Sequence, residues 1–358
     1  AIRIDENQMI VYGLNGDQEM RVQLNPTCRS DRYLARVREM LSSAVLDSPG
    51  GYPVFLRRWT RMGQIDNEQM DRLLRLGEPE AVMAVVCSPG LTNELARRAW
   101  WAAPYAEHAR RMLENERVVG GEMGPVLAEH LIEFLPFETE HRDMLETVRL
   151  ILQPGLVDDE ARRRLWDAGR TKKTYRIGFL EALPDELPEA SVPHPAYEQY
   201  RETLEAMSAG NRAAALLARA MSDRGQAFLQ VAQEVMRRPA DQDVVSALLN
   251  AIGGYFAAVR QNKESFREID AVRELAARSA GPEGGDPDIA ALLEAVPALR
   301  SEIRATIALA HIDEQVVTPI FAMGHAVLWQ QAWGVSWWSM PPLLADIMSL
   351  VVVAGGIF

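Results

Sequence analysis

Lysine is almost missing from this chain. Lys172, Lys173 and Lys263 are its three lysines in 358 residues, and arginine carries nearly all the positive charge. Genomic base composition accounts for such a bias, and no function follows from it. Cysteine is scarcer still. Cys28 and Cys87 are the two cysteines, too few for a disulfide framework and in keeping with a reducing compartment, so a cytoplasmic location is expected. Cations are outnumbered, leaving a formal net charge of −12. That balance argues against a non-specific nucleic-acid partner, because phosphate neutralisation needs clustered positive charge. A long apolar run is lacking too. The most apolar stretch, residues 343–358, is short for a membrane span and carries Asp346, so it reads as a docked core helix. No basic, apolar, cleavable leader is visible. The chain opens Ala1-Ile2-Arg3-Ile4, without methionine and inside a strand pattern, so an upstream segment is expected.

What is present points to helices. Hydrophobic residues make up 48% and charged residues 25%, the balance of a folded globular chain. The length exceeds one ordinary core, so two domains or an extended repeat array are expected. Alanine, leucine, arginine and glutamate dominate, which favours helix. Residues 2–24 are the exception. They alternate as short strands, and Asn15-Gly16-Asp17 is a hairpin turn signal. After Asn25-Pro26 the period becomes helical, with Ser30 or Asp31 able to cap a helix to about Leu46.

An internal repeat follows. Residues 89–103, from Pro89-Gly90-Leu91 through Arg97-Arg98 to Trp101 and Ala103, match residues 154–168 without a gap. The second copy runs from Pro154-Gly155-Leu156 through Arg162-Arg163 to Trp166 and Ala168. Each copy follows an apolar helix and reads as helix, Pro-Gly turn, capped helix. Gly124-Pro125 opens a third helix between them, as stacked two-helix units require. The stripe Ala96, Trp100, Ala103, with its counterparts Ala161, Leu165, Ala168, is expected to face the core. Prolines then cluster at Leu183-Pro184-Asp185-Glu186-Leu187-Pro188 and Val192-Pro193-His194-Pro195, where helices must stop. The expected architecture is mainly α: a small β-hairpin element over 1–28, a solenoid-like helical repeat domain over 29–188, and a helical bundle domain over 196–358. In the bundle, the periodicity predicts helices near 196–208, 211–222, 224–237, 241–260, 263–278, 288–310 and 313–333, then a last apolar helix after Met340-Pro341-Pro342.

No complete catalytic, metal or nucleotide motif occurs. The one Glu138-x-x-His141 lacks the second copy that a di-iron bundle needs. His311 and His325 lie fourteen positions apart on the expected helix, too far to share one ion. No metal or other cofactor is expected. Cys87 closes an apolar helix run and is expected to be shielded, whereas Cys28 lies in a polar turn beside Arg29 and is the candidate persulfide carrier. The densest positive segment holds Arg162, Arg163, Arg164, Arg170, Lys172, Lys173 and Arg176. Its plain reading is a solvated face; the sharper one is an anion-facing patch. In both repeat copies an arginine precedes a tryptophan by one helical turn, Arg97 before Trp101 and Arg162 before Trp166. Each guanidinium is expected against its indole. With Arg163, Lys172 and Lys173, these pairs either seal edges between hairpins or line a groove for an acidic protein partner. Trp329, Trp333, Trp337 and Trp338 form a second aromatic concentration; Trp329 and Trp333, one turn apart, read as core packing or as a partner groove, and a small-ligand pocket in this Trp-rich half is a further reading.

Four strings carry a family resemblance: Gly50-Gly51-Tyr52-Pro53-Val54-Phe55-Leu56-Arg57-Arg58-Trp59-Thr60-Arg61-Met62-Gly63, Leu76-Gly77-Glu78-Pro79-Glu80-Ala81-Val82, Leu95-Ala96-Arg97-Arg98-Ala99-Trp100-Trp101, and Leu183-Pro184-Asp185-Glu186-Leu187-Pro188. Across about residues 1–190 the chain resembles the sulfur reduction protein DsrS family, encoded with the reverse-acting dissimilatory sulfite reductase of sulfur-oxidising bacteria. The resemblance implies a cytoplasmic accessory role in oxidation of stored sulfur and carries over no catalytic residue. The reading taken is a non-catalytic accessory or regulatory protein acting through protein partners. Two alternatives stay open: a persulfide-handling enzyme or carrier using Cys28, and a small-ligand-binding helical protein.

Overall fold

A computed structural model describes residues 1–46, 67–237, 239–260, 265–281, 285–316 and 342–355. The chain is mainly helical with a small antiparallel sheet at its start, as the periodicity implies. The sheet has the order β1-β2-β3, formed by Ile2–Asp5, Ile10–Asn15 and Gln18–Gln23. Asn15 pairs with Gln18, so the hairpin loop is Gly16-Asp17, one position beyond the Asn-Gly expected. Gly16 takes φ +58° at the first loop position, where type II′ hairpins place glycine. Helix α1 spans Ser30–Leu46.

Two compact units follow from how the chain packs: Ala1–Glu138 with Gln153–Asp158, and Thr139–Leu152 with Asp159–Phe358. The division falls near residue 138, and the proline cluster at 183–195, expected as the main boundary, lies inside the second unit. Prolines there end a helix without ending the packing. Arg219 donates to both carboxylate oxygens of Asp185 at 2.9 and 3.0 Å, and the Tyr255 hydroxyl donates to Asp185 at 3.4 Å. The His194 backbone N–H donates to the Met221 carbonyl at 2.9 Å. These bonds hold the segment on the bundle.

Among the described residues of the first unit, α1 is followed by α2 Asn67–Leu73, α3 Pro79–Val86, α4 Asn93–Ala102, α5 Ala106–Leu113, α6 Glu116–Val119 and α7 Met123–Phe134, with a 3-10 turn at Leu135–Phe137. The first repeat copy is therefore α3, the Pro89-Gly90 turn and α4, capped by Thr92, whose hydroxyl accepts from the Leu95 N–H. Met70, Leu73, Leu91, Met112, Leu127 and Leu131 are fully enclosed at its core.

The second unit contains α8 His141–Ile151, α9 Asp159–Ala168, α10 Lys173–Ala182, α11 Tyr197–Ser208, α12 Arg212–Met221, α13 Asp223–Arg237, α14 Gln242–Tyr255, α15 Ile269–Ser279, α16 Pro287–Ala295, α17 Arg300–Ala310 and α18 Pro342–Gly355. Phe179, Phe228 and Phe256 are buried in its core. Helices α8 and α10 approach closely because Gly178 has no side chain: a Cβ there would lie 2.6 Å from Val148 Cγ1. The single helix expected over 288–310 is two. Pro297 supplies no N–H and restricts Val296, which takes φ −132° and ψ 63°, and a 3-10 turn at Pro297–Leu299 separates α16 from α17. The helix expected over 241–260 ends at Tyr255 and continues as a 3-10 turn, Ala257–Val259. The helix expected over 313–333 begins as a 3-10 turn, Glu314–Val316, and its remainder lies outside the described residues. So do His325, the four late tryptophans and the string at 50–63. Among the described residues, no helix is long and apolar enough to cross a membrane.

Candidate interaction surfaces

The two Arg–Trp pairs read from the repeat are replaced by pairs across elements. In the first unit Arg3 of β1 lies over the rings of Trp101 and Tyr12, with centroid distances of 4.9 and 4.8 Å. The Trp101 indole N–H donates to Glu19 of β3 at 3.2 Å. Arg97 instead reaches the hairpin loop, donating to the Gly16 carbonyl at 3.2 Å and to Glu94 at 2.8 Å. Arg97 and Arg98 together hold the Glu94 carboxyl down to about 2. Trp101 is half-buried, and its role is to clasp the sheet to α4.

In the second unit Arg176 of α10, almost fully buried, lies over the Trp166 ring at 3.5 Å, while Phe179 meets that ring edge-on at 5.0 Å. Arg162 turns to Asp159 at 3.6 Å. Trp166 is 4% exposed, so it lines no open groove. The stripe expected to face the core divides as well. Ala96, Ala103 and Leu165 are buried, Trp100 and Ala161 are half-buried, and Ala168 is exposed. Local helix-turn-helix structure repeats, but the burial does not. Gly155 takes φ +82°, a left-handed conformation that Gly90 does not share.

The basic segment is largely occupied internally. Arg176 reaches Glu189 at 3.1 Å, the Lys173 ammonium donates to the Glu234 carbonyl at 2.7 Å, and Lys172 lies 5.7 Å from the Tyr175 ring centroid. Arg164 and Arg170 pair along their own chain with Glu160 and Asp167 at 3.9 and 3.5 Å. Arg163 is exposed. Arg97 and Trp101 fall in one compact unit, and Arg162, Arg163, Trp166, Lys172 and Lys173 in the other.

Both thiols are exposed. For Cys87 this corrects the expectation of shielding: Val85 and Val86 face inward, and the helix ends so that the next side chain points out. Arg29, the cation beside Cys28, is engaged with Asp31 at 3.0 Å. Among the described residues, no cluster of His, Cys, Asp and Glu could hold a metal. His141 accepts or donates at Thr174 Oγ1, 2.8 Å away, and its other nitrogen lies 3.7 Å from Asp241. This resembles a hydroxyl–imidazole–carboxylate line, but Thr174 is 1% exposed, so its hydroxyl is shielded from solvent. A cavity of about 490 Å³ lies beside it, bordered by Glu181, Asp243, Asn250 and Glu314. In the first unit a cavity of about 680 Å³ is lined by Arg3, Tyr12, Arg38, Glu78 and Tyr105. Arg38 pairs there with Glu6 and Glu78, so its charge is already balanced. Burial raises the Glu78 carboxyl, against the opposing pull of Arg38.

One surface emerges that the sequence reading passed over. On α7, Val126, His130 and Phe134 recur every fourth residue and so share one side of the helix. Val126 and Phe134 are exposed, and Phe137 on the following turn is 80% exposed. Trp100 of α4 meets the His130 ring edge-on at 4.6 Å, and the Phe134 ring lies 4.3 Å from it at a tilt. Burial lowers the His130 pKa below the usual imidazole value, with Glu133 partly opposing. The imidazole forms part of an aromatic row. Leu127 and Leu131, one position later in each turn, face the core. A helix with apolar residues on its inner side and again on its outer side is the signal that could have revealed this surface. No family model, curated protein or solved structure matches the chain.

Proposed function

We propose that this chain is a non-catalytic accessory protein, acting by protein–protein contact within the cytoplasmic sulfur-oxidation system of the reverse-acting dissimilatory sulfite reductase. The sulfur context rests on the resemblance to the DsrS family, whose strings at Leu76–Val82 and Leu95–Trp101 build α3 and α4 here. The observation that carries the interaction role is the set of exposed Val126, Phe134 and Phe137 beside half-buried His130. Exposed apolar side chains gathered in one patch mark contact surfaces, whereas single ones do not. Co-purification from sulfur-oxidising cells tests the role. A stoichiometric partner should accompany the unmodified chain and be lost when Phe134→Ala and Phe137→Ala are combined. Recovery of the same partner with both chains would refute the assignment to this surface.

A second reading has one observation in its favour. Cys28 is exposed, as a persulfide carrier requires. Mass mapping after incubation with a persulfide donor separates the two. Stoichiometric loading of Cys28, followed by transfer to another sulfur carrier, would favour the carrier; absence of transfer favours the accessory role.

A further inference from the structure

The aromatic row on α7 is edged by charge of one sign. Glu129 and Glu133 follow each other at one turn's spacing, both exposed, on the row next to Val126, His130 and Phe134. Glu122 precedes them by about two turns and is exposed as well. An apolar row beside a carboxylate row is complementary to a helix with the opposite pattern, an apolar stripe flanked by lysine or arginine. From this geometry we infer that the face of α7 docks a cationic amphipathic helix of a partner protein, with its apolar stripe on Phe134 and Phe137 and its cations on Glu129 and Glu133. This inference rests on the interaction role proposed above and specifies the partner's chemistry.

The neighbouring groups suit that occupant. Trp100 holds the His130 ring from one side, so the row is a preorganised aromatic surface and not a set of separate side chains. Phe134 and Phe137 can each cover several methylenes of an incoming leucine stripe, and Glu129 and Glu133 set its orientation. The same pattern opposes an acidic partner, the kind expected for the Arg–Trp pairs of the repeat.

Two labelled helical peptides serve as probes: one with a leucine stripe flanked by lysines, the other with the same stripe flanked by glutamates. Their binding to the full chain is followed by fluorescence anisotropy. The lysine peptide should bind at least about tenfold more tightly than the glutamate peptide. Combining Phe134→Ala with Phe137→Ala should weaken it about tenfold, and combining Glu129→Lys with Glu133→Lys should invert the preference. An unchanged melting curve establishes that each variant is folded. Equal binding of the two peptides, no binding of either, or binding indifferent to these substitutions would overturn the inference. A self-association that Phe134→Ala and Phe137→Ala abolish would overturn it too, since the occupant would be a second copy. Should the lysine peptide fail while co-purification still depends on the two phenylalanines, the partner chemistry falls and the interaction role stands. Should both fail, both fall.

Discussion

Arg176→Ala separates the tertiary account of the repeat from the local one. Arg176 is almost fully buried, with its guanidinium 3.5 Å from the Trp166 ring centroid and 3.1 Å from Glu189. A desolvated cation–π contact contributes about 2 kcal/mol, and truncation also removes the stem that packs beside the indole. Part of this loss is offset, because the buried charge no longer has to be dehydrated. Glu189 is more than half exposed and recovers its water. The net cost should be about 2–3 kcal/mol. Arg176→Met keeps the stem and sheds the charge, and should cost less than about 1 kcal/mol. Arg162→Ala removes an ion pair with the exposed Asp159 at 3.6 Å and a half-buried stem, and should cost about 0–1 kcal/mol. Urea denaturation followed by far-ultraviolet circular dichroism gives all three values. The reasoning fails if Arg162→Ala destabilises as much as Arg176→Ala, since the sequence-local pair would then be the real one.

Three further outcomes are expected. Glu94 should stay ionised in the native chain to about pH 2, read by carboxyl NMR titration. Its folded pKa is depressed, so its stabilisation is present above the ordinary carboxylate value near 4.5 and fades as pH falls toward about 2. A native midpoint near 4.5 would contradict the paired arrangement with Arg97 and Arg98. Gly178→Ala should destabilise by about 1–3 kcal/mol, because α8 must give way at Val148; unchanged stability would mean that the helices are not so close. Both thiols should react in the native chain with a disulfide reagent, two per chain, since Cys28 and Cys87 are exposed; one slow thiol would contradict that.

The local signals were readable from sequence. The alternation over residues 2–24 marked the hairpin, the Pro-Gly pairs marked the repeat helices, and Pro297 explains the break that a periodicity reading ran across. The features that escaped it depend on distant partners. Arg97 and Trp101 are one turn apart, yet each finds a better neighbour on the sheet: Arg97 the Gly16 carbonyl, and Trp101 the Arg3 guanidinium. Trp166 is likewise taken by Arg176, ten positions on. Spacing states which side chains can meet, whereas packing decides which do. The aromatic face of α7 was missed for a related reason. Phe134 and Phe137 look like core residues in sequence, and only the inward turn of Leu127, Leu131 and Leu135 shows that the core is already filled.

Site-specific photo-cross-linking tests the central claim most directly. The photoreactive residue p-benzoylphenylalanine is placed at Phe137 in one chain and at Val192 in another; these positions are 80% and 79% exposed. Both chains are irradiated in sulfur-oxidising cells. A discrete adduct with one protein at position 137, absent at 192 and suppressed by combining Glu129→Lys with Glu133→Lys, is the predicted result. Equal adducts at both positions, or none at 137, would contradict the assignment of this face as the contact surface.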